Sequence, residues 1–408
     1  MNGSPPPRSL TIQGPPAANA GIPLLDPEGA KYIVGKPPPF AQGVRPGPST
    51  LFGPRGVCQI GRDGPFYIAD TGHHRVLGYN DPPTRDYPAA DWVLGQPNFK
   101  TEARNSGGAA NAYSMNMPTA VAAFGDAGLI IADTWNNRVL VWYRRPEDNQ
   151  VPADLILGQA DPRGHEPNRG LTRASASSMH WPSAVLVDGG RLYVADAGNR
   201  RVLVWRTLPS THGEPADFAL GQQSLVERSD NAGSGVDRSS MRFPHGLAMV
   251  AGNLVVSDAG NNRVLIWHGV PDGHNAPAMW VLGQPDFHSN AHNGSRYWPN
   301  AALVNMPYAV AATGNLLTIS DTANSRLLGI RVHNQTLCSG MEATFLTGQN
   351  TFAHRGDNRW RNPMRDSLCW PYGLAFQGDN ALVADTGNNR VLVWPLASLT
   401  QRQGASTS

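Results

Sequence analysis

Residues 385–394 read "DTGNNRVLVW", and close variants begin at Asp70 ("DTGHHRVLGY"), Asp133 ("DTWNNRVLVW"), Asp196 ("DAGNRRVLVW"), Asp258 ("DAGNNRVLIW") and Asp321 ("DTANSRLLGI"). These six copies lie 63, 63, 62, 63 and 64 residues apart. A fixed step of this size marks a repeat architecture, whose units bury their apolar faces only against one another. Further segments recur around each copy. In the third unit, "WPSAVLVD" (181–188) and "GGRLYVADAGNR" (189–200) run into "RVLVW" (201–205), and "FALGQQ" (218–223) follows. Alternating β-branched residues such as Val185, Val187 and Leu192, Val194, broken by Gly and Asp turns, predict four short antiparallel strands per unit. Six such units in series predict an all-β, six-bladed β-propeller around a central channel.

The fourth strand ends in "LGQ" at Leu94, Leu157, Leu220 and Leu282, with "TGQ" at Thr347, which makes five endings for six units. The last unit stops after Trp394, while "AKYIVGKP" (30–37) aligns with "ADWVLGQP" (90–97). Tyr32 to Gly35 is therefore expected to supply the outer strand of the last blade. Such pairing closes the ring and removes the bare sheet edges that a linear array would expose. The propeller is assigned to 30–397, with a Pro-rich tail at 1–29 and a polar tail at 398–408, both expected to be disordered.

Composition narrows the function classes. In 408 residues, 33 Lys+Arg face 31 Asp+Glu, so no strong field draws nucleic acid or an anionic membrane. The five full insertions between LGQ and the next unit (97–117, 160–181, 223–243, 285–306 and 350–370) hold 13 Lys/Arg against 9 Asp/Glu, an excess too dilute for a nucleic-acid grip. No apolar run is long enough for a signal peptide or a membrane span, and the expectation is a monomeric cytoplasmic protein. Cys58, Cys338 and Cys369 are too few and scattered for a disulfide framework; buried free thiols are expected, with a Cys338–Cys369 pair as the alternative.

The Asp that opens each copy ends a strand, where its carboxylate can accept backbone N–H groups of the adjoining turn. The Arg five positions later (Arg75, Arg138, Arg201, Arg263, Arg326 and Arg390) can tie that carboxylate or neighbouring carbonyls with its planar fork. A catalytic site needs different groups in different roles, so a residue repeated in every blade serves a need every blade shares. Function belongs where the copies differ. Trp142, Trp205, Trp267 and Trp394 share one register, Trp181 and Trp370 another, and Trp92 and Trp280 a third, which assigns all eight to packing. Trp135, Trp298 and Trp360 are off-register, and Trp135 stands in a turn where other copies have a small residue.

The Asp-Thr-Gly-Asn-Asn-Arg-Val-Leu-Val-Trp motif, the Pro that opens each unit's first strand and the LGQ ending together resemble the NHL-repeat family over about residues 30–397. The long LGQ-to-Pro insertions, with Asn-x-Gly or Asn-Gly segments such as "PNRG" (167–170) and "HNGS" (292–295), are similar to those of bacterial members. The resemblance implies a six-bladed propeller, and function ranging from protein, RNA or small-ligand binding to catalysis in a few relatives. One enzymatic relative, peptidyl-hydroxyglycine amidating lyase, holds zinc with several channel histidines. Directly after the first-strand prolines come Arg55, Thr119, Ser183, His245, Tyr308 and Tyr372, expected at the channel mouth. Only His245 matches a zinc ligand there, and a zinc site needs at least three protein ligands. His288 and His292 share a Gly/Asn-rich insertion and are expected to be solvated. No Gly-rich phosphate loop, serine nucleophile elbow or CxxC pair is present. The reading is a non-catalytic scaffold without cofactor or metal, which binds a protein, peptide or small polar ligand through these six residues and Trp135. A lyase-type enzyme is the alternative.

Overall fold

Six four-stranded antiparallel sheets follow one another around a central axis, in a computed structural model that describes residues 14–37, 43–398 and 400. The second blade is representative, with strands Pro118–Phe124, Gly128–Asp133, Arg138–Trp142 and Leu155–Leu157 from the axis outward. The strands alternate apolar residues between two faces. Each face meets the next blade, so six separate apolar clusters fill the six junctions in place of one common core.

The ring closes as the sequence predicts. Tyr32–Val34 pairs antiparallel with Arg390–Pro395, placing Tyr32 opposite Val393 and Val34 opposite Val391. Ile33 and Val34 are buried there beside Leu392 and Val391. A further strand was not foreseen. Ile22–Pro23 runs parallel to Phe345–Thr347 and adds a fifth strand to blade five. Leu24 and Leu25 behind it are buried at 0% and 1% exposure, and Thr400 donates its hydroxyl to the Pro23 carbonyl at 2.9 Å. The propeller therefore takes in chain that the sequence reading left to its two tails. The apolar pair Leu24–Leu25 supplies the reason, since its burial stabilises by roughly 1.5–3 kcal/mol per side chain. Residues 1–13 and 401–408 lie outside the described residues.

Each blade is pinned by its Asp. In blade two, Asp133 Oδ1 accepts the Asn116 N–H at 2.7 Å, while Oδ2 accepts Arg138 Nε at 2.8 Å and the Asn136 amide at 2.7 Å. The same Arg reaches in two directions. One terminal nitrogen donates forward to Pro162 O at 2.6 Å, and the other donates back to Asn111 O and Ser114 O, both at 2.9 Å. Asp and Arg are both fully buried, and the equivalent pairs recur in all six blades at 2.7–2.9 Å. The motif is thus a clamp that holds two flanking insertions to one blade.

The insertions carry a second fixture that the sequence reading missed. Asn105 pairs reciprocally with Asn136, its amide donating at 3.1 Å and receiving at 2.8 Å. Asn168–Asn199, Asn231–Asn261, Asn293–Asn324 and Asn358–Asn388 repeat the arrangement. Each insertion Asn has φ near +50°, a backbone that Asn tolerates better than most residues. The three thiols are free, and Cys338 is exposed, contrary to expectation.

Two predictions follow from these contacts. Removing residues 1–35 takes away the fourth strand of blade six, so its melting temperature should fall well below that of a chain lacking only 1–20, which should melt close to the full chain by differential scanning calorimetry. Arg263→Ala leaves Asp258 buried without its partner and should cost about 3–5 kcal/mol in urea unfolding, several times more than replacement of exposed Arg296.

Candidate functional site

The channel mouth is built by the chain just before each innermost strand. Met117, Trp181, Phe243, Met306 and Trp370 have φ between +49° and +56°, and Gly53 has +57°. Side chains in this left-handed region need outside support. It comes from the preceding blade's motif. His74 Nδ1 accepts the Met117 N–H at 3.0 Å, Asn137 and Asn262 accept those of Trp181 and Met306 at 2.9 Å, and Asn389 accepts that of Gly53 at 2.8 Å. This backbone turns Trp181 and Trp370 out of the packing role the sequence assigns them. They stand 40% and 37% exposed at the face from which the innermost strands start.

The next residue but one lies on a β-bulge. Pairing slips between Pro118 and Ala120, Pro182 and Ala184, Pro244 and Gly246, Pro307 and Ala309, and Pro371 and Gly373. Thr119, Ser183, His245, Tyr308 and Tyr372 are therefore the unpaired residues, and a bulge re-aims such a side chain. With Arg55 from blade one they line a channel cavity of about 110 Å3. The walls approach closely: a methyl group on Gly373 would sit 2.0 Å from the Arg55 carbonyl, and one on Gly246 would sit 2.9 Å from the Val310 nitrogen.

The six mouth residues divide into two sets. Thr119 donates to Ser183 O at 3.1 Å and lies 2.6 Å from the Thr134 hydroxyl, and Ser183 donates to Pro244 O at 3.0 Å. These hydroxyls join a belt in which Thr71, Thr134, Thr322 and Thr386 each donate to the next blade's proline carbonyl. Their position in the cavity agrees with the sequence reading; their hydroxyl protons serve the blade junctions. The other four form one stack across the axis. Tyr308 and Tyr372 lie parallel with centroids 4.1 Å apart, the Arg55 guanidinium covers Tyr372 at 4.5 Å, and His245 meets Tyr308 edge-on at 4.5 Å.

Burial, helped by the charge of Arg55, pushes the His245 imidazole down to about 3, so it is neutral at physiological pH. Burial and the neighbouring Tyr372 push the Tyr308 phenol up, which keeps its proton in place. Trp135 is 52% exposed and is not among the channel-lining residues. Its N–H reaches Asn116 O at 3.0 Å, whereas glycines at the same position make this bond at 2.7–2.9 Å. Trp360 is 73% exposed in the last insertion, and Trp298 stacks edge-on with Tyr297 at 4.7 Å.

His245 is the single imidazole in the channel lining, and no Asp, Glu or Cys accompanies it. Three-ligand zinc binding does not fit this donor set. Among the described residues no group of three His, Cys, Asp or Glu side chains is arranged to hold a metal ion. His288 lies on an exposed loop, its ring nitrogen 3.0 Å from Val236 O.

The NHL repeat profile matches residues 241–267, the stretch that holds the fourth copy of the clamp within a six-bladed ring. The chain is a six-bladed β-propeller that contains an NHL repeat. Among curated proteins no sequence matches it. Solved structures similar to this propeller include virginiamycin B lyase from Staphylococcus aureus, with 9% identity, 86% of this chain and 98% of that chain covered, and a TM-score of 0.42. Kuenenia stuttgartiensis hydrazine synthase shares 13% identity over 87% of this chain and 99% of that one, with a TM-score of 0.46. The RRP9 WD40 repeats share 12% over 90% and 100%, with a TM-score of 0.45. At this distance the likenesses carry no argument about activity. No helix among the described residues is long and apolar enough to cross a membrane.

The pH behaviour of the site can be predicted from His245. Its folded value of about 3 lies below the ordinary 6.5, so the unfolded chain binds the extra proton between these values. Stability is therefore lost as pH falls through this window, and ΔG of unfolding rises with pH across it. His245→Gln, which carries no titrating group, should show a shallower loss between pH 6.5 and pH 4 in urea titrations. A slope identical to that of the parent protein would show that His245 is not held neutral.

Proposed function

We propose that the propeller is a non-catalytic binding scaffold whose recognition surface is the channel mouth with the insertions around it. The observation that supports this reading is the stack of Arg55, Tyr372, Tyr308 and His245, contributed by four successive blades around the ring closure. Side chains converging from separate blades can surround a ligand without any blade changing its packing. Their protonation favours binding over proton transfer. A general acid or base works best with a pKa near the working pH, and the environment drives His245 down and Tyr308 up, away from that range.

The partner is a protein, a peptide or a small polar ligand. Trp181 and Trp370 at the mouth offer a rim of aromatic surface, and Trp135 and Trp360 offer exposed aromatic anchors on the turns and insertions. We take the molecule to act as a monomer, because its ring closes on itself, and in a reducing compartment such as the cytoplasm, which suits three unpaired thiols.

Arg55→Ala combined with Tyr372→Ala should abolish recovery of a partner in quantitative pull-downs while shifting the melting temperature little, since neither side chain belongs to a clamp. Arg263→Ala should lower stability and leave the mouth residues in place. Undiminished binding by the double variant would move the recognition surface to the insertions around Trp135 and Trp360.

A further inference from the structure

Resting on the reading above, we infer that the ligand of the channel is a carboxylate joined directly to a short apolar group. Arg55 carries the argument. Its guanidinium face rests on the Tyr372 ring, and among the described residues its side chain makes no hydrogen bond and no ion pair. A guanidinium donates from its edge, in its own plane, so stacking occupies the face and leaves the N–H fork open. That fork matches the two oxygens of a carboxylate. The cavity lining contains this one cation and no Asp or Glu, so nothing in the channel answers its charge.

The rest of the lining limits the ligand further. The stacked Tyr308 keeps its proton, its hydroxyl hydrogen-bonded to that of Tyr372, and His245 is neutral and adds no second positive charge. One cation with neutral donors suits a monoanion better than a phosphate dianion. Two residues beyond each mouth residue, Val57, Val121, Val185, Leu247, Val310 and Leu374 also border the cavity, one from each blade, where the apolar clusters between blades reach the channel. A ligand whose charged end meets Arg55 therefore places its other end among hydrocarbon side chains. The whole cavity, mouth included, measures about 110 Å3, which suits a short chain or a small branch. The chemistry has two sources, a free small acid or the C-terminal carboxylate of a peptide ending in an apolar residue.

Isothermal titration of the full chain with isovalerate, hexanoate, hexanamide and inorganic phosphate tests the assignment, together with a hexapeptide ending in Val-Leu, used with a free or an amidated C-terminus. At least one acid should bind, and its amide should bind about tenfold more weakly or worse, the expected loss of a charge-assisted contact. Arg55→Gln should lose the acid while melting like the parent protein. Saturable binding of the small acids identifies a free acid; binding of the free-terminus peptide alone identifies a chain end; either result supports the inference. As a second variant, Leu247→Ala should shift the preferred acid to a longer chain, and an unchanged preference would remove the apolar residues from the site. Equal binding of acid and amide, tighter binding of phosphate than of any acid, or no saturation by any acid below about 10 mM would overturn the carboxylate assignment. If these acids fail while the Arg55/Tyr372 double variant still loses its partner, the carboxylate assignment falls and the mouth remains the recognition surface. If the double variant keeps its partner, the wider reading falls with it.

Discussion

A buried Asp–Arg pair, repeated six times, is the constraint on which the structure rests. In each blade the carboxylate gathers a backbone N–H from the chain that enters the blade and an Arg Nε from the strand that leaves the turn. Burying two charges is costly, and the cost is offset only when every donor and acceptor is satisfied. The surrounding chain meets this demand. Carbonyls at Asn111, Ser114 and Pro162 take the remaining donors of Arg138, so the charge that needs partners also fixes the loops that supply them. Insertions of about twenty residues can therefore follow a set course without a core of their own.

This division of labour frees the residues at the axis. With packing held in the blade junctions and insertions pinned by the clamps, the bulged position after each proline can carry Thr, Ser, His or Tyr without altering its blade. The channel thereby acquires two sides. Blades two and three turn small hydroxyls toward neighbouring carbonyls, while blades four, five, six and one build the aromatic stack capped by Arg55. The asymmetry arises within a scaffold that is nearly sixfold.

Much of the architecture could be read from the sequence because its cause repeats. Blade number, strand order, ring closure and the Asp–Arg clamp each follow from segments that return at a constant step. The Asn105 and Asn136 pair was equally periodic, yet it links residues 31 apart, and its meaning depends on a left-handed backbone that periodicity does not reveal. Ile22–Pro23 occurs once, in a Pro-rich stretch, and its pairing depends on an edge created by blade five. At the mouth, the sequence treats six positions as equivalent. Their separation into belt and stack depends on which acceptor lies within reach of each side chain. Thr119 finds a carbonyl at 3.1 Å, whereas the larger Tyr308 and Tyr372 find each other.

The pairing of Tyr32–Val34 with Arg390–Pro395 also sets an order of events at the ribosome. The strand that completes the final blade is made before any of the six blades, and its partner only after five of them. Domains generally form as the chain emerges, N-terminal parts first. Here the apolar Ile33 and Val34 must wait through the synthesis of five blades before their own sheet exists. Contacts this distant in sequence form slowly because closing a long loop costs entropy before the contact repays it. The nascent protein thus carries an open ring with two unmatched ends, and its final step is one short zippering event. Emergence of Arg390–Pro395 from the exit tunnel is what permits that event, so completion of the fold waits on the sixth copy of the motif.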